Sequence, residues 1–231
     1  MKKLLFLHIG KTGGVTIRHL LAQQYSSDRI MPVPVQMKQS FRYPTEIIDN
    51  IYDYHQNFDG AEVTERYDLV MGHLDWGIAQ KLPDFEVMTV LRNPVTRLIS
   101  QYYQYLGHPS NVSSWGDPVL ESGIMRDVHS LKDFYTHPIV QETYNDYQYK
   151  ILTGLQYSKT MREDPENILG LIKYLGVQER LNRFIENIVT IAPNTIHLNK
   201  TAKSNVIDEQ DRLNIQALNR LDMILWLKAN K

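Results

Sequence analysis

The stretch that decides the fold is KLLFLHIGKTGGVTIRHLL, residues 3–21. Its first part, Lys3–Ile9, is a continuous apolar run that ends at a glycine, as strands of a buried parallel sheet do. From Val15 to Gln24 the apolar residues recur at helical spacing. The stretch therefore predicts a buried strand, a glycine turn and a helix, in that order.

The glycine turn in the middle of this stretch is suited to binding an anion. Backbone N–H groups at a helix start point at the ligand, and glycine lets the ligand approach closely. The residues of this predicted cradle are Lys11, Thr12, Gly13, Gly14, Val15 and Thr16. The P-loop of triphosphate-binding proteins is not matched, because Leu5 stands where its first glycine is required. We expect the turn to hold one phosphate-like group, and the alternative is an ordinary turn whose glycines serve packing.

A second candidate anion site lies in VLRNPVTRLISQYY, residues 90–103. Arg92 comes at the end of a predicted strand, Asn93 is a favourable helix cap, and Ser100 lies about two turns into the helix. An arginine and a hydroxyl can clamp a phosphate, whereas the alternative is a surface arginine before a well-capped helix. Both turns together fit one ligand that carries two separate phosphate groups.

The rest of the pattern predicts a single α/β domain over residues 1–231, with a central parallel sheet flanked by helices on both faces. Ligands of such sheets bind at the carboxyl ends of the strands, where Lys11, His73 and Arg92 fall. The other predicted strands are Tyr67–His73 and Phe85–Arg92, and Thr195–Asn199 is a short strand or an extended segment. Arg29–Gln36 is predicted to be extended. Helices are predicted over Thr45–Tyr54, from Asn93 to Leu106, between Ser130 and Thr190, and from Asp208 onward.

Composition narrows the function classes. A formal net charge of -1 over 231 residues argues against a general nucleic-acid binder. The chain has no cysteine, which excludes disulfides and thiol catalysis and fits the cytoplasm. No apolar stretch reaches the roughly 20 residues that span a bilayer, so we expect no stable membrane insertion. No carboxylate or histidine cluster has metal-ligand spacing, so we expect no metal.

These motifs resemble those of a known family. HIGKTGGVT, residues 8–16, is similar to the 5′-phosphosulfate loop of the Golgi-type carbohydrate sulfotransferases, and LRNPVTRLISQYY resembles their 3′-phosphate motif, an arginine followed eight residues later by a serine. VMGHLDWG (70–77) resembles the family's G-H segment. Softer likenesses are NDYQYKILTG (145–154), VQERLNRFIENI (177–188) and HLNKTAK (197–203), and all these motifs occur in the family's order. Gly10 replaces the family's usual proline and Val15 its usual threonine or serine. The family's stem and membrane anchor are missing, so we expect a soluble, bacterial-style member.

The resemblance implies a P-loop-NTPase-like sulfotransferase fold and 3′-phosphoadenosine 5′-phosphosulfate (PAPS) as the sulfuryl donor. It implies that Lys11 stabilises the leaving phosphate and that His73 is the general base for the acceptor hydroxyl; a structural histidine at a strand end is the alternative. The donor would contact the cradle residues of the glycine turn and Arg92 and Ser100. A late basic loop with Lys200, Thr201 and Lys203 would either reach the nucleotide or stay solvated.

The acceptor stays open among carbohydrates, lipids and small metabolites, and the segments 35–68 and 108–129 are expected to select it, the second as a candidate lid. Two other functions compete. A small-molecule kinase would need a magnesium-binding carboxylate, for which Asp75 lies near. A non-catalytic nucleotide-binding protein on the same scaffold would be indicated by loss of Lys11 or His73, and both are present. We expect His8 to be a packed, hydrogen-bonded histidine, and Arg97 either to join the second phosphate site or to lie on the helix surface.

Overall fold

The computed structural model describes residues 2–35, 43–107, 119, 122–159, 165–188 and 207–231. Its strands are β1 (Leu4–Leu7), β2 (Val33–Val35), β3 (Thr45–Ile47), β4 (Leu69–Gly72), β5 (Glu86–Leu91) and β6 (Tyr174–Val177). Four of them form a parallel sheet in the order β4–β1–β5–β6, and β2 pairs with β3 in a separate two-stranded sheet.

The helices connect and cover these strands. They are α1 (Gly14–Ala22), α2 (Ile51–Gln56), α3 (Gly60–Arg66), α4 (Trp76–Lys81), α5 (Pro94–Leu106), α6 (Leu131–Thr136), α7 (Pro138–Tyr144), α8 (Tyr147–Leu152), α9 (Pro165–Leu171), α10 (Leu181–Ile188), α11 (Glu209–Leu218) and α12 (Arg220–Ala229). Within the described ranges no helix has both the length and the apolar character needed to cross a membrane; the longest, α5, has 13 residues.

Both faces of the four-stranded sheet are buried under helices. Side chains alternate along a strand, so Leu4 and Phe6 of β1 join one core cluster with Ile17 of α1 and Ile185 of α10. The intervening residues, Leu5 and Leu7, join the other cluster, which includes side chains of α4, α5, α8 and α12. The predicted parallel sheet with helices on both faces is therefore confirmed.

The strand register brings the ends of β1 and β4 to one level of the sheet, and β5 continues two residues beyond that level, from Thr89 to Leu91. Leu7, the last residue of β1, pairs with Gly72 at the end of β4 and with Thr89 of β5. His73 follows β4 directly, the glycine turn follows β1, and Arg92 follows β5. The predicted site residues therefore meet at the carboxyl edge of the sheet, on three adjacent strands.

One predicted helix is wrong in its first part, and one strand is missing from the prediction. The predicted helix over Thr45–Tyr54 begins as strand β3, and α2 starts only at Ile51, where the Asn50 side chain accepts hydrogen bonds from two backbone N–H groups. Strand β6 was not predicted at all, since the pattern there indicated helices. Among the described residues it is an edge strand that pairs with β5 alone, and a Cβ at its Gly176 would lie 2.7 Å from the Phe184 ring. The predicted strand Thr195–Asn199 lies outside the described residues.

Candidate active site at the carboxyl edge of the sheet

The glycine turn folds through two left-handed residues. Lys11 has φ 69° and Gly13 has φ 88°; glycine adopts this conformation without penalty, whereas the lysine is strained in a way that clusters at binding sites. Between them, the buried Thr12 donates its hydroxyl to the Ile9 carbonyl at 2.8 Å. Thr12 can therefore offer a ligand its backbone N–H but not its hydroxyl.

The helix that follows this turn begins without a cap. No side chain among the described residues hydrogen-bonds to the N-terminus of α1, whose first N–H groups have no partner within the helix. The N-terminus of α5 differs, because the Asn93 side chain accepts from the N–H groups of Val95 and Thr96. The start of α1, with Gly14, Val15 and Thr16, is thus the helix N-terminus that is suited to an anion.

The second predicted anion site contacts the first directly. The Arg92 guanidinium donates from Nη1 to the Lys11 carbonyl at 2.9 Å and from Nε to the Thr96 hydroxyl at 3.0 Å. Ser100 is buried two turns into the same helix. Arg92 therefore spans the ends of β1 and β5, as a ligand with two phosphates would.

Positive charges are concentrated at this edge. Burial, followed by the nearby charges of Arg92 and Arg97, lowers the pKa of Lys11. Burial also lowers the pKa of Arg92, with a further lowering by Arg97 that a neighbouring Glu179 opposes. Anions bound among these cations would raise both pKa values and relieve the repulsion.

Arg97 does not lie on the helix surface, so that alternative is wrong. Its side chain is fully buried, and its guanidinium carbon lies 4.8 Å from the Tyr147 ring centroid and 5.7 Å from that of Tyr144. Nη2 donates to the Tyr144 carbonyl at 3.3 Å, while Nε and Nη1 have no partner within the described part of the chain. Arg97 thus contributes charge from beneath the site, held mainly by aromatic faces.

His73 sits beside the glycine turn with its imidazole held in one orientation. Its Nδ1 donates to the His8 carbonyl at 2.9 Å, and its ring stacks on the His8 ring with the centroids 4.3 Å apart. The neutral tautomer that makes this bond carries its lone pair on Nε2. A Cβ at Gly10 would lie 4.0 Å from His73 Cε1. Burial first, then the charge of Arg18, lowers the pKa of His73 to about 3, so the ring is neutral at pH 7.

His8 is packed more tightly than the sequence indicates. Its ring is 4% exposed, and a Cβ at Gly14 would lie only 1.8 Å from His8 Cδ2, so the start of α1 closes over the ring. The predicted packing is confirmed. The predicted hydrogen bond is not, since Nδ1 has no partner among the described residues. Burial, followed by the charge of His73, lowers the pKa of His8 well below its ordinary value.

Asp75 is a structural residue and not a magnesium ligand. Its Oδ1 accepts from Gly77 N at 3.0 Å and Ser158 Oγ at 2.7 Å, and its Oδ2 accepts the N–H groups of Tyr157 and Ser158, both at 2.8 Å. Four donors saturate the carboxylate. Leu5 lies wholly buried within β1, where a triphosphate arch would begin. These two observations speak against the kinase. In the described ranges no group of three or more His, Asp or Glu side chains could hold a metal.

Part of the predicted site lies outside the described residues. Lys200, Thr201 and Lys203 belong to that part, as do 36–42 and most of the 108–129 segment. Two polar residues that the sequence did not single out do reach the site. Gln148 hydrogen-bonds to the Arg92 backbone, and Glu179 accepts from Asn93 N at 2.9 Å. Both fall within the softer family-like segments, but nothing in their spacing or charge indicates a contact with the Arg92 turn.

Comparison with known proteins identifies the family of this chain. Two solved structures align along the chain, a sulfotransferase from Alicyclobacillus acidocaldarius (15% identity, 100% of this chain and 97% of that one, TM-score 0.44) and mouse sulfotransferase SULT7A1 complexed with PAP (12% identity, 97% of this chain and 66% of that one, TM-score 0.40). No curated protein matches the sequence significantly. The model of the sulfotransferase family matches residues 1–227. The chain therefore belongs to the sulfotransferase family.

Proposed function

We propose that this sulfotransferase uses PAPS as its donor and transfers the sulfuryl group in line to an acceptor hydroxyl, with His73 as general base. The observation that carries the proposal is the placement of three functions on adjacent strands. The glycine turn follows the central strand β1, with Arg92 after β5 on one side and His73 after β4 on the other.

This order suits a donor with two phosphates and one reacting sulfuryl group. The uncapped N-terminus of α1 and Lys11 would hold the 5′-phosphosulfate, and Arg92 with Ser100 would hold the 3′-phosphate. The sulfuryl group then faces the β4 side, where His73 lies. Thr12, Gly13, Gly14, Val15 and Thr16 serve through backbone N–H groups, and Thr16 also has its hydroxyl. We retain Lys200, Thr201 and Lys203 as predicted contacts of the nucleotide.

In the transfer step, Nε2 of His73 accepts the proton of the acceptor hydroxyl while the acceptor oxygen bonds to sulfur. The bond between sulfur and the bridging oxygen breaks, its electron pair goes to the 5′-phosphate, and Lys11 stabilises that charge. Burial is the main cause of the low pKa of His73, and the charges of Arg18 and Lys11 lower it further. Donor phosphates beside Lys11 would offset the contribution of these charges and raise the pKa of His73, which makes Nε2 a stronger base.

The acceptor class remains a hydroxyl of a carbohydrate, a lipid or a small metabolite. We also propose that the chain forms one domain and acts in the cytoplasm. We propose that it needs no metal, binds no nucleic acid and does not insert stably into a membrane.

The test is a calorimetric titration with adenosine 3′,5′-bisphosphate in the absence of magnesium, with ATP and magnesium in parallel. We expect one tight site for the bisphosphate and much weaker binding of ATP. Arg92→Ala should lose roughly 10- to 100-fold in affinity, as expected for a charged hydrogen bond. Arg66→Ala, an exposed arginine on α3 that pairs with Glu62, is the control and should bind normally. Strong binding of ATP with magnesium and none of the bisphosphate would contradict the proposal.

A further inference from the structure

One face of α12 supports the turn that carries Arg92. Asp222 and Trp226 are four positions apart on this helix, so they lie on the same face. Asp222 hydrogen-bonds to Gln148, and Trp226 hydrogen-bonds to Glu179. Gln148 and Glu179 in turn hydrogen-bond to the backbone of the Arg92–Asn93 turn. The turn is thus held by two relays that start on one helix.

The first relay runs through Gln148, near the start of α8. Its fully buried amide accepts from Arg92 N at 2.9 Å and donates to the Arg92 carbonyl at 2.9 Å, as a neighbouring strand would. Asp222, also fully buried, fixes this glutamine by accepting from its backbone N–H at 3.1 Å and from its amide Nε2 at 3.3 Å. Asp222 Oδ1 accepts from Tyr149 N at 2.7 Å, so the same carboxylate caps α8.

The contact between α8 and α12 is reciprocal. Oδ1 of Asp146, the residue before α8, accepts from the N–H groups of Leu221 at 2.8 Å and Asp222 at 3.0 Å, at the start of α12. Each helix thus caps the other, and their relative position is fixed by four backbone donors. Gln148 is consequently presented to Arg92 by a rigid support.

The second relay runs through Glu179, just after β6. Its Oε1 accepts from Asn93 N at 2.9 Å, and its Oε2 accepts from the Trp226 indole N–H at 3.1 Å. The backbone groups of Arg92 and Asn93 follow the end of β5, and their hydrogen bonds go to the side chains of Gln148 and Glu179 and not to a neighbouring strand.

We propose that Gln148, held by Asp222, and Glu179, held by Trp226, are positioning residues that set the Arg92 guanidinium for the 3′-phosphate of the donor. This inference rests on the proposed function. The Arg92 side chain is already committed to the Lys11 carbonyl and Thr96, so only a narrow range of backbone positions lets it reach a phosphate as well. A displacement of about 1 Å at such a site is enough to cost about 100-fold in rate.

The experiment compares two ligands, adenosine 3′,5′-bisphosphate and adenosine 5′-monophosphate, by calorimetry. The ratio of their affinities reports the 3′-phosphate contact alone. Gln148→Met keeps the buried volume and removes both bonds to Arg92, and we expect it to reduce the ratio at least tenfold while monophosphate affinity stays near wild type. Thr153→Val is the matched control, since this residue is equally buried on the same helical segment and loses a hydroxyl that donates to the Tyr149 and Lys150 carbonyls. Its ratio should not change.

Trp226→Phe tests the second relay without removing the buried amide, because it removes the indole N–H that binds Glu179, together with one ring of a partly buried side chain. We expect a smaller fall in the ratio, about threefold or more, and this variant decides the matter if Gln148→Met does not fold. A folded variant that loses both ligands equally, or neither, overturns the positioning role. A wild-type protein that binds the bisphosphate no better than the monophosphate overturns the proposed function instead, and the inference falls with it.

Discussion

Gly14→Ala is the sharpest test of how the site is packed. An added Cβ would lie 1.8 Å from His8 Cδ2 and 2.3 Å from Nε2, whereas ordinary contact begins near 3.4 Å, so a gap of 1.6 Å (3.4 minus 1.8) must open. The His8 ring cannot swing away freely, because it stacks between the rings of Phe6 and His73. Overpacking of this kind costs about 1–3 kcal/mol.

The expected result is a lower melting temperature. In a protein of this size 1 kcal/mol corresponds to about 2–4 °C, so a cost near 2 kcal/mol should lower Tm by about 4–8 °C. The assay is reversible thermal unfolding followed by calorimetry. Gly170→Ala is the matched control: it is also a helical glycine, but its added Cβ would meet nothing within 4 Å. There, alanine should stabilise the helix by up to about 1 kcal/mol.

The double variant His8→Ala with Gly14→Ala gives an internal check. Without the imidazole there is no collision, so the alanine at 14 should cost at least about 1 kcal/mol less than in the wild-type background. If Gly14→Ala proves neutral or stabilising, as Gly170→Ala should be, then the His8 ring does not lie against α1. The His8 ring would then not stack between the rings of Phe6 and His73 in the folded protein.

Three further outcomes follow from the site. Lys11→Met should slow the release of adenosine 3′,5′-bisphosphate from PAPS by about 100- to 1,000-fold, measured by chromatography; an unchanged rate would exclude its role at the leaving group. Glu179→Gln has one acceptor oxygen where Glu179 has two, so it cannot accept from both Asn93 N and the Trp226 indole N–H. The ratio of bisphosphate to monophosphate affinity should therefore fall about threefold or more in calorimetry, and an unchanged or higher ratio would contradict the second relay. His73 makes stability depend on pH, because its imidazole is protonated below about pH 6.5 in the unfolded chain but only below about pH 3 in the folded protein. Stability therefore falls as pH falls through that window, and urea unfolding of His73→Asn should show a weaker fall.

The sequence predicts the centre of this fold well because hydrophobic burial dominates there. Strands β1, β4 and β5 are buried on both faces, so they appear as continuous apolar runs, and the turn after β1 carries glycines that its backbone requires. Strand β6 lies at the edge with half-exposed residues, and its pattern resembles that of the helices around it. Periodicity alone cannot separate such short segments.

Gln148 and Glu179 illustrate a different limit. A buried glutamine and a glutamate after an edge strand have no distinctive spacing, and their contacts exist only once α12 has packed against α8 and the Arg92 turn. Lys11, Arg92 and His73 could be predicted because each follows a buried strand at the edge where ligands bind. Residues that act through others carry no such positional signal.

The hydrogen bond between Arg92 and Lys11 has a consequence for folding. These residues are 81 positions apart in the chain, and in the main sheet β1 pairs with β4 and β5, neither of which is the next strand after it in the chain. The two turns come together only in the folded sheet. The unfolded chain therefore has no site for a ligand that contacts both turns. Such a ligand stabilises the fold by its full mass-action term, about 2.7 kcal/mol at 100 times Kd. It acts as a reversible cross-link that closes a long loop of the chain.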